Sequence, residues 1–89
     1  MKVQFTLEFM KIYNKRFPAK HRIHTKFDQK VKIFAENPHN PILKNHLLTG
    51  KLQGYYAFSI TGDIRVIYSI YMDTAYFTDI GTHNQVYGK

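Results

Sequence analysis

The stretch YYAFSITGDIRVIYSIYMDTAYFTDI, residues 55–80, decides the fold. It holds three runs rich in β-branched and aromatic residues: YYAFSI, IRVIYSI and AYFTDI. Such runs favour strands because branched and ring side chains pack well on a pleated surface. TGD separates the first two and YMDT the second pair, and both links are short enough for antiparallel hairpins. A three-strand meander follows. Its second hairpin returns the chain to the level of the first turn, so the segment after AYFTDI ends beside the start of IRVIYSI. Neighbouring strands lie about 4.8 Å apart, which brings His83 within reach of Asp63 and Arg65.

Upstream, KVQFTLEF alternates Val3, Phe5 and Leu7 with Gln4, Thr6 and Glu8, the pattern of a half-buried strand. Phe9, Ile12, Tyr13 and Phe17 then recur at helical spacing, predicting a helix from about Glu8 to Phe17 that Pro18 terminates. A second helix is predicted from about Lys20 to Glu36, with Ile23, Phe27, Val31 and Phe34 on its apolar face and ENPHNP as its stop. ILKNHLLTGKLQG reads as a connection punctuated by Gly50 and Gly54. The order β-α-α-β-β-β predicts one α+β domain over residues 1–89. In it, two N-terminal helices pack on one face of a largely antiparallel, four-stranded sheet.

Composition supports one compact domain: 44% of residues are core-forming, which argues against disorder. The chain has no cysteine, which excludes disulfides and thiolate zinc sites. The N-terminal residues lack the apolar core of a signal peptide and no run is long enough to span a membrane, so a cytoplasmic protein is expected. Net charge is +7, and it is unevenly spread. Residues 1–51 carry eleven Lys and Arg against three acids, whereas residues 52–89 carry two against three. A basic half of this kind suits nucleic acid, an acidic protein or an anionic surface.

Chemistry concentrates around two histidines. His46 lies in the glycine-flanked connection, and His83 follows Gly81, which reads as a turn at the end of the last strand. Arg65 is the only basic residue between Lys51 and Lys89, and it opens an apolar strand where a guanidinium is well placed to grip a phosphate. Two imidazoles with Asp63, Arg65 and Tyr87 suit general acid–base work on a phosphodiester, because imidazole titrates near neutrality. RNA brings its own nucleophile, the ribose 2′-hydroxyl, so such a set needs no metal or other cofactor. Lys20, Arg22, Lys26, Lys30, Lys44 and Lys51 are candidate phosphate contacts, and Tyr56 a candidate ring for base stacking. His21 and His24 lie three apart on the second helix with no further ligand nearby, so they read as a solvated helix face rather than a metal site. His39 reads as a turn residue.

HLLTGKLQGYYAFSITGDIRVIYSI followed by IGTHNQVY resembles the RelE/ParE superfamily of bacterial type II toxins. Within it, the ribosome-dependent messenger RNA endonucleases of the RelE and YafQ kind are most similar. The resemblance implies a toxin that cleaves messenger RNA in the ribosomal A site and is neutralised by a cognate antitoxin protein. The YafQ-type pattern falls on His46, Asp63, His83 and Tyr87, and the RelE-type pattern on Arg65 and Tyr87. Two positions depart from these patterns. Ser59 stands where YafQ-like toxins have a further histidine, and Tyr56 and Phe58 stand where RelE-like toxins have lysines. The superfamily also contains ParE-like toxins that inhibit DNA gyrase without cutting RNA, and fold-mates that only bind an antitoxin; both remain alternatives on sequence grounds.

Overall fold

A computed structural model describes residues 1–88. The elements run β1 (Lys2–Phe5), α1 (Leu7–Arg16), α2 (Ile23–Glu36), β2 (His46–Leu47), β3 (Tyr56–Ser59), β4 (Ile64–Tyr71), β5 (Thr74–Thr82) and α3 (His83–Tyr87). One mixed sheet has the order β1-β5-β4-β3-β2. β3, β4 and β5 form the predicted meander, and β1 joins its edge parallel to β5. The sheet has five strands rather than four. The fifth is the two-residue β2, which pairs His46 with Ala57 and Leu47 with Tyr56 inside the segment read as a plain connection.

The alternation of β4 sorts the two faces of the sheet. Val66 and Tyr68 point toward α1 and α2 and share a core with Phe9, Phe27, Phe34, Phe58 and Phe77. Phe34 lies at its centre, stacked on Phe58 at 4.6 Å and edge-on to Tyr68 at 4.9 Å. Ile67 points the other way, into a smaller cluster with Leu48, Ala57 and Val86. That second, open face holds two cavities, one of them described below.

The N-terminal strand ends earlier than the alternation predicts. Thr6 ends the strand, its amide still donating to the Phe77 carbonyl at 3.2 Å, and caps α1: its hydroxyl accepts from the Phe9 amide at 3.1 Å and donates to the Phe77 carbonyl at 2.8 Å. Leu7 therefore begins a helix and stands 78% exposed instead of pointing inward. β1 covers only the first half of β5, from Thr74 to Phe77. Beyond it α1 takes over the edge, and Arg16 Nη1 donates to the Ile80 carbonyl at 2.7 Å.

The second helix starts at Ile23, three residues after the predicted Lys20. Residues 18–21 form a turn closed by the His21 amide on the Pro18 carbonyl at 2.8 Å, and His21 Nδ1 accepts from the Ile23 amide at 3.1 Å. His24 does not belong to a solvated face. Its Nε2 lies 2.8 Å from the Pro18 carbonyl, so that nitrogen carries the proton, and Nδ1 accepts from the Tyr13 hydroxyl at 2.6 Å. Both histidines have structural roles, clasping the α1–α2 junction.

Candidate active site

Four side chains from three separate stretches of the chain meet on the open face. His46, Arg65, His83 and Tyr87 line one cleft of about 400 Å³, together with Leu47, Leu48, Thr49 and Leu52. Arg65 is brought there by register: it pairs with Ser59 on one side and Gly81 on the other, on the same face as Ile67. Ser59, also on that face, is buried.

His46 is held by its neighbours. Asn45 Oδ1 accepts from the Tyr68 hydroxyl at 2.6 Å, and Asn45 Nδ2 donates to the Pro38 carbonyl at 3.0 Å. Burial pushes the Tyr68 phenol up to about 12, against the opposing effect of the Asn45 bond. Lys44 turns the chain at φ 50°, in the left-handed region, just before His46. His46 Nδ1 lies 2.9 Å from the Lys44 carbonyl, so it carries the proton and the neutral ring keeps its lone pair on Nε2.

His83 stands on a helix, not on a glycine turn. Gly81 is a strand residue of β5, and the chain leaves the sheet at Thr82. Thr82 and Gln85 form a reciprocal cap: the Gln85 amide donates to Thr82 Oγ1 at 3.2 Å, and the Thr82 amide to Gln85 Oε1 at 2.8 Å. α3 then sets Tyr87 one turn from His83, with ring centres 4.6 Å apart and planes near perpendicular. The Tyr87 hydroxyl is buried without a hydrogen-bond partner among the described residues. Desolvation raises its pKa, and the positive charge of Arg65 opposes that rise.

Gly81 is required by close approach. A Cβ there would stand 2.6 Å from Arg16 Nη1, 2.6 Å from Gln85 Oε1 and 2.9 Å from Gln85 Cβ. Arg16 also pairs with Asp79 at 3.2 Å in a largely buried ion pair. Arg16 and Gln85 thus support the start of α3, and neither was singled out from sequence. The Thr82-His83-Asn84-Gln85 spacing carried the capping signature; the Arg16–Asp79 contact left no local signal.

The other predicted site residues divide between the faces. Asp63 is exposed in the β3–β4 turn, where its amide bonds Thr61 Oγ1 at 3.2 Å, and it is outside the cleft wall. Tyr56 lies on the helix face, stacked on Tyr68 at 5.3 Å. The neighbouring Tyr55 lies on the open face. Lys51 borders the open face, whereas Lys20, Arg22, Lys26 and Lys30 precede or ride on α2, behind the sheet. Lys30 donates to the Ile60 carbonyl at 3.0 Å, and burial, followed by Lys26 and Lys44, lowers its pKa.

This architecture is that of small bacterial toxins. It superposes on YafQ from E. coli with a TM-score of 0.77 at 22% identity, covering 98% of each chain. It also superposes on a YoeB/ParE toxin from Agrobacterium tumefaciens with a TM-score of 0.72 at 22% identity, covering 93% of this chain and 99% of that one. The E. coli DinJ–YafQ complex gives a TM-score of 0.74 at 22% identity, with 98% of each chain covered. The chain belongs to the YafQ family, bacterial toxins of type II toxin–antitoxin systems, whose family model matches residues 1–88. Comparison with curated proteins found no match. Among the described residues, no helix is long and apolar enough to cross a membrane.

Proposed function

We propose that the protein is a cytoplasmic endoribonuclease that cleaves messenger RNA in the ribosomal A site and so inhibits translation. The observation that carries this reading is the convergence of His46, Arg65, His83 and Tyr87 on one cleft. His46 Nε2, unprotonated in the neutral ring, takes the proton of a ribose 2′-hydroxyl. The 2′-oxygen attacks the adjacent phosphorus, and Arg65 balances the charge that grows on the phosphoryl oxygens. Protonated His83 gives its proton to the departing 5′-oxygen. The products are a 2′,3′-cyclic phosphate and a 5′-hydroxyl end. Tyr87 holds the scissile nucleotide through its ring. Asp63, outside the cleft wall, takes no proton in this scheme.

Lys20, Arg22, Lys26 and Lys30, on α2 or just before it, and Lys44, two residues before His46, are surfaces for ribosomal RNA, and Lys51 for the messenger. Affinity for the ribosome then falls steeply with salt. An acidic or amphipathic antitoxin segment covers part of the basic surface, as expected for a family whose E. coli member is found in a complex with DinJ. The test is a reconstituted translation reaction with messenger 5′ ends mapped for wild type and His83→Ala. Cleavage by the wild type and a loss of about 10²–10⁴-fold in the variant are expected. Equal cleavage by both, or none by the wild type while gyrase is blocked, overturns the reading.

A further inference from the structure

β1 leaves one side of its backbone open. In a parallel ladder, alternate residues turn both backbone groups toward the neighbouring strand. The Lys2 amide donates to the Asp73 carbonyl at 3.3 Å and the Thr6 amide to the Phe77 carbonyl at 3.2 Å, so the even-numbered residues face β5. Val3 and Phe5 therefore point their amides and carbonyls outward. The Phe5 carbonyl accepts from the exposed Gln4 side chain at 3.3 Å, a bond readily exchanged for another. Neither proline nor a free charge guards this edge, because Lys2 is paired with Asp73 of its own chain at 3.2 Å. The opposite edge of the sheet, β2, is only two residues long. Among the described residues, every exposed large apolar side chain except Ile42 and Leu47 lies on β1, on α1 or at the β4–β5 end of the sheet. Met72, at the tip of that hairpin, is 81% exposed at φ 56°, where glycine or asparagine is usual.

We propose that β1 is a self-association surface on which a second copy of this chain pairs antiparallel, joining the two sheets into one. A two-fold axis at Gln4 sets Val3 opposite Phe5 of the second copy, and each such pair exchanges both of its outward hydrogen bonds. No like charges stand opposite in this register: Lys2 meets Thr6, and Met1 meets Leu7. α1 of the second copy then runs past Met1 toward the β4–β5 turn. That brings the exposed Leu7 and Met10 of one copy to Tyr71 and Met72 of the other, and Lys11 to Asp73. The apolar groups at the two ends of β1 thus cover one another, as an isologous interface requires. Charge decides between protein and nucleic acid here. Along β1, the first turns of α1 and the β4–β5 turn, Lys2 and Lys11 balance Glu8 and Asp73, although the chain carries +7. Nucleic acid gains little from a neutral, apolar edge, whereas two basic copies can meet there. Arg65 and Gly81 lie at the far ends of β4 and β5, so both clefts stay outside the interface.

The test is sedimentation equilibrium of the full chain from micromolar to millimolar concentration, in about 1 M salt to screen the repulsion between copies. A monomer–dimer equilibrium is expected. Val3→Pro removes an outward amide that bonds nothing within its own chain, and Leu7→Lys changes an exposed helical position. Each is expected to weaken the dimer at least about tenfold. Circular dichroism checks the folding of both, and Leu7→Lys carries the test if Val3→Pro does not fold. In dimers mixed from isotope-labelled and unlabelled copies, a nuclear Overhauser contact between the Gln4 α-protons across the axis is expected. A chain that stays monomeric throughout, a dimer that a folded variant leaves intact, or a dimer without the Gln4 contact overturns the proposal. Cleavage is not read, so a failure here is distinct from a failure of the nuclease reading in the translation assay.

Discussion

The Tyr68 hydroxyl donates to Asn45 Oδ1 at 2.6 Å, and this bond ties the segment carrying His46 to the central strand of the sheet. Asn45 answers with a second bond to Pro38, so the residue before His46 is fixed from two sides. Tyr68→Phe removes the hydroxyl and leaves the Asn45 oxygen short of a donor. A loss of about 1–2 kcal/mol in urea unfolding is expected, with a several-fold fall in messenger cleavage while all four cleft residues remain.

The same phenol makes stability depend on alkaline pH. Its pKa is about 12 in the folded protein, against about 10 when exposed. The folded state therefore holds the proton more tightly. Its contribution is fully present below about pH 10 and is lost as pH rises toward 12. Tyr13 and Tyr87 are raised as well, with burial the leading cause in both, and act with the same sign. Unfolding free energy measured from pH 8 to 12 is expected to fall, and to fall less steeply in Tyr68→Phe. Parallel slopes for both proteins contradict this.

Arg16 and Asp79 are paired with side chains only 23% and 10% exposed, whereas Lys2 and Asp73 are paired at 75% and 71%. Arg16→Met takes the guanidinium from a buried carboxylate and from the Ile80 carbonyl, so a loss of about 3 kcal/mol is expected. Lys2→Met is expected to stay within about 0.5 kcal/mol. Chemical denaturation of the two variants side by side checks the contrast, and similar losses would count against it.

Gly81→Ala places a methyl group against Arg16 and Gln85 at the origin of α3. Overpacking of this kind costs roughly 1–3 kcal/mol. Because α3 carries both His83 and Tyr87, cleavage is expected to suffer more than folding. Circular dichroism with 5′-end mapping separates the two effects. A folded variant with full cleavage refutes the positioning of α3 by this contact.

Neutral His46 is expected in the tautomer with the proton on Nδ1, bonded to the Lys44 carbonyl. Nitrogen-15 shifts of the ring at alkaline pH report this directly. A protonated Nε2 in the neutral ring would remove it as the base.

Much of this molecule is legible in its sequence. The meander was readable because TGD and YMDT are local turn signals between strand-forming runs, and α2 because Ile23, Phe27 and Phe34 keep helical spacing. His46, Arg65, His83 and Tyr87 stood out as chemistry-bearing residues. Other features were not readable for specific reasons. β2 has two exposed residues and no pattern of its own; it exists because β3 offers a free edge. Leu7 broke the alternation because the cap at Thr6 outweighed one more strand residue. Tyr55 and Tyr56 lie on opposite faces by alternation alone, but only the packing of Tyr56 on Tyr68 says which one is open.

The sequence by itself determined the meander and the approximate places of β1, α1 and α2, because turn chemistry and apolar periodicity act over a few residues. It also determined the titrating groups available and the basic bias of the first half. Tertiary structure alone decided their meeting. Arg65 faces the cleft through the pairing of Ser59, Arg65 and Gly81, and a one-residue slip would turn it toward the helices. Arg16 and Asp79 meet across 63 positions of chain. A contact of that separation is set by how the helix lies along the sheet edge, and no local stretch of residues encodes it.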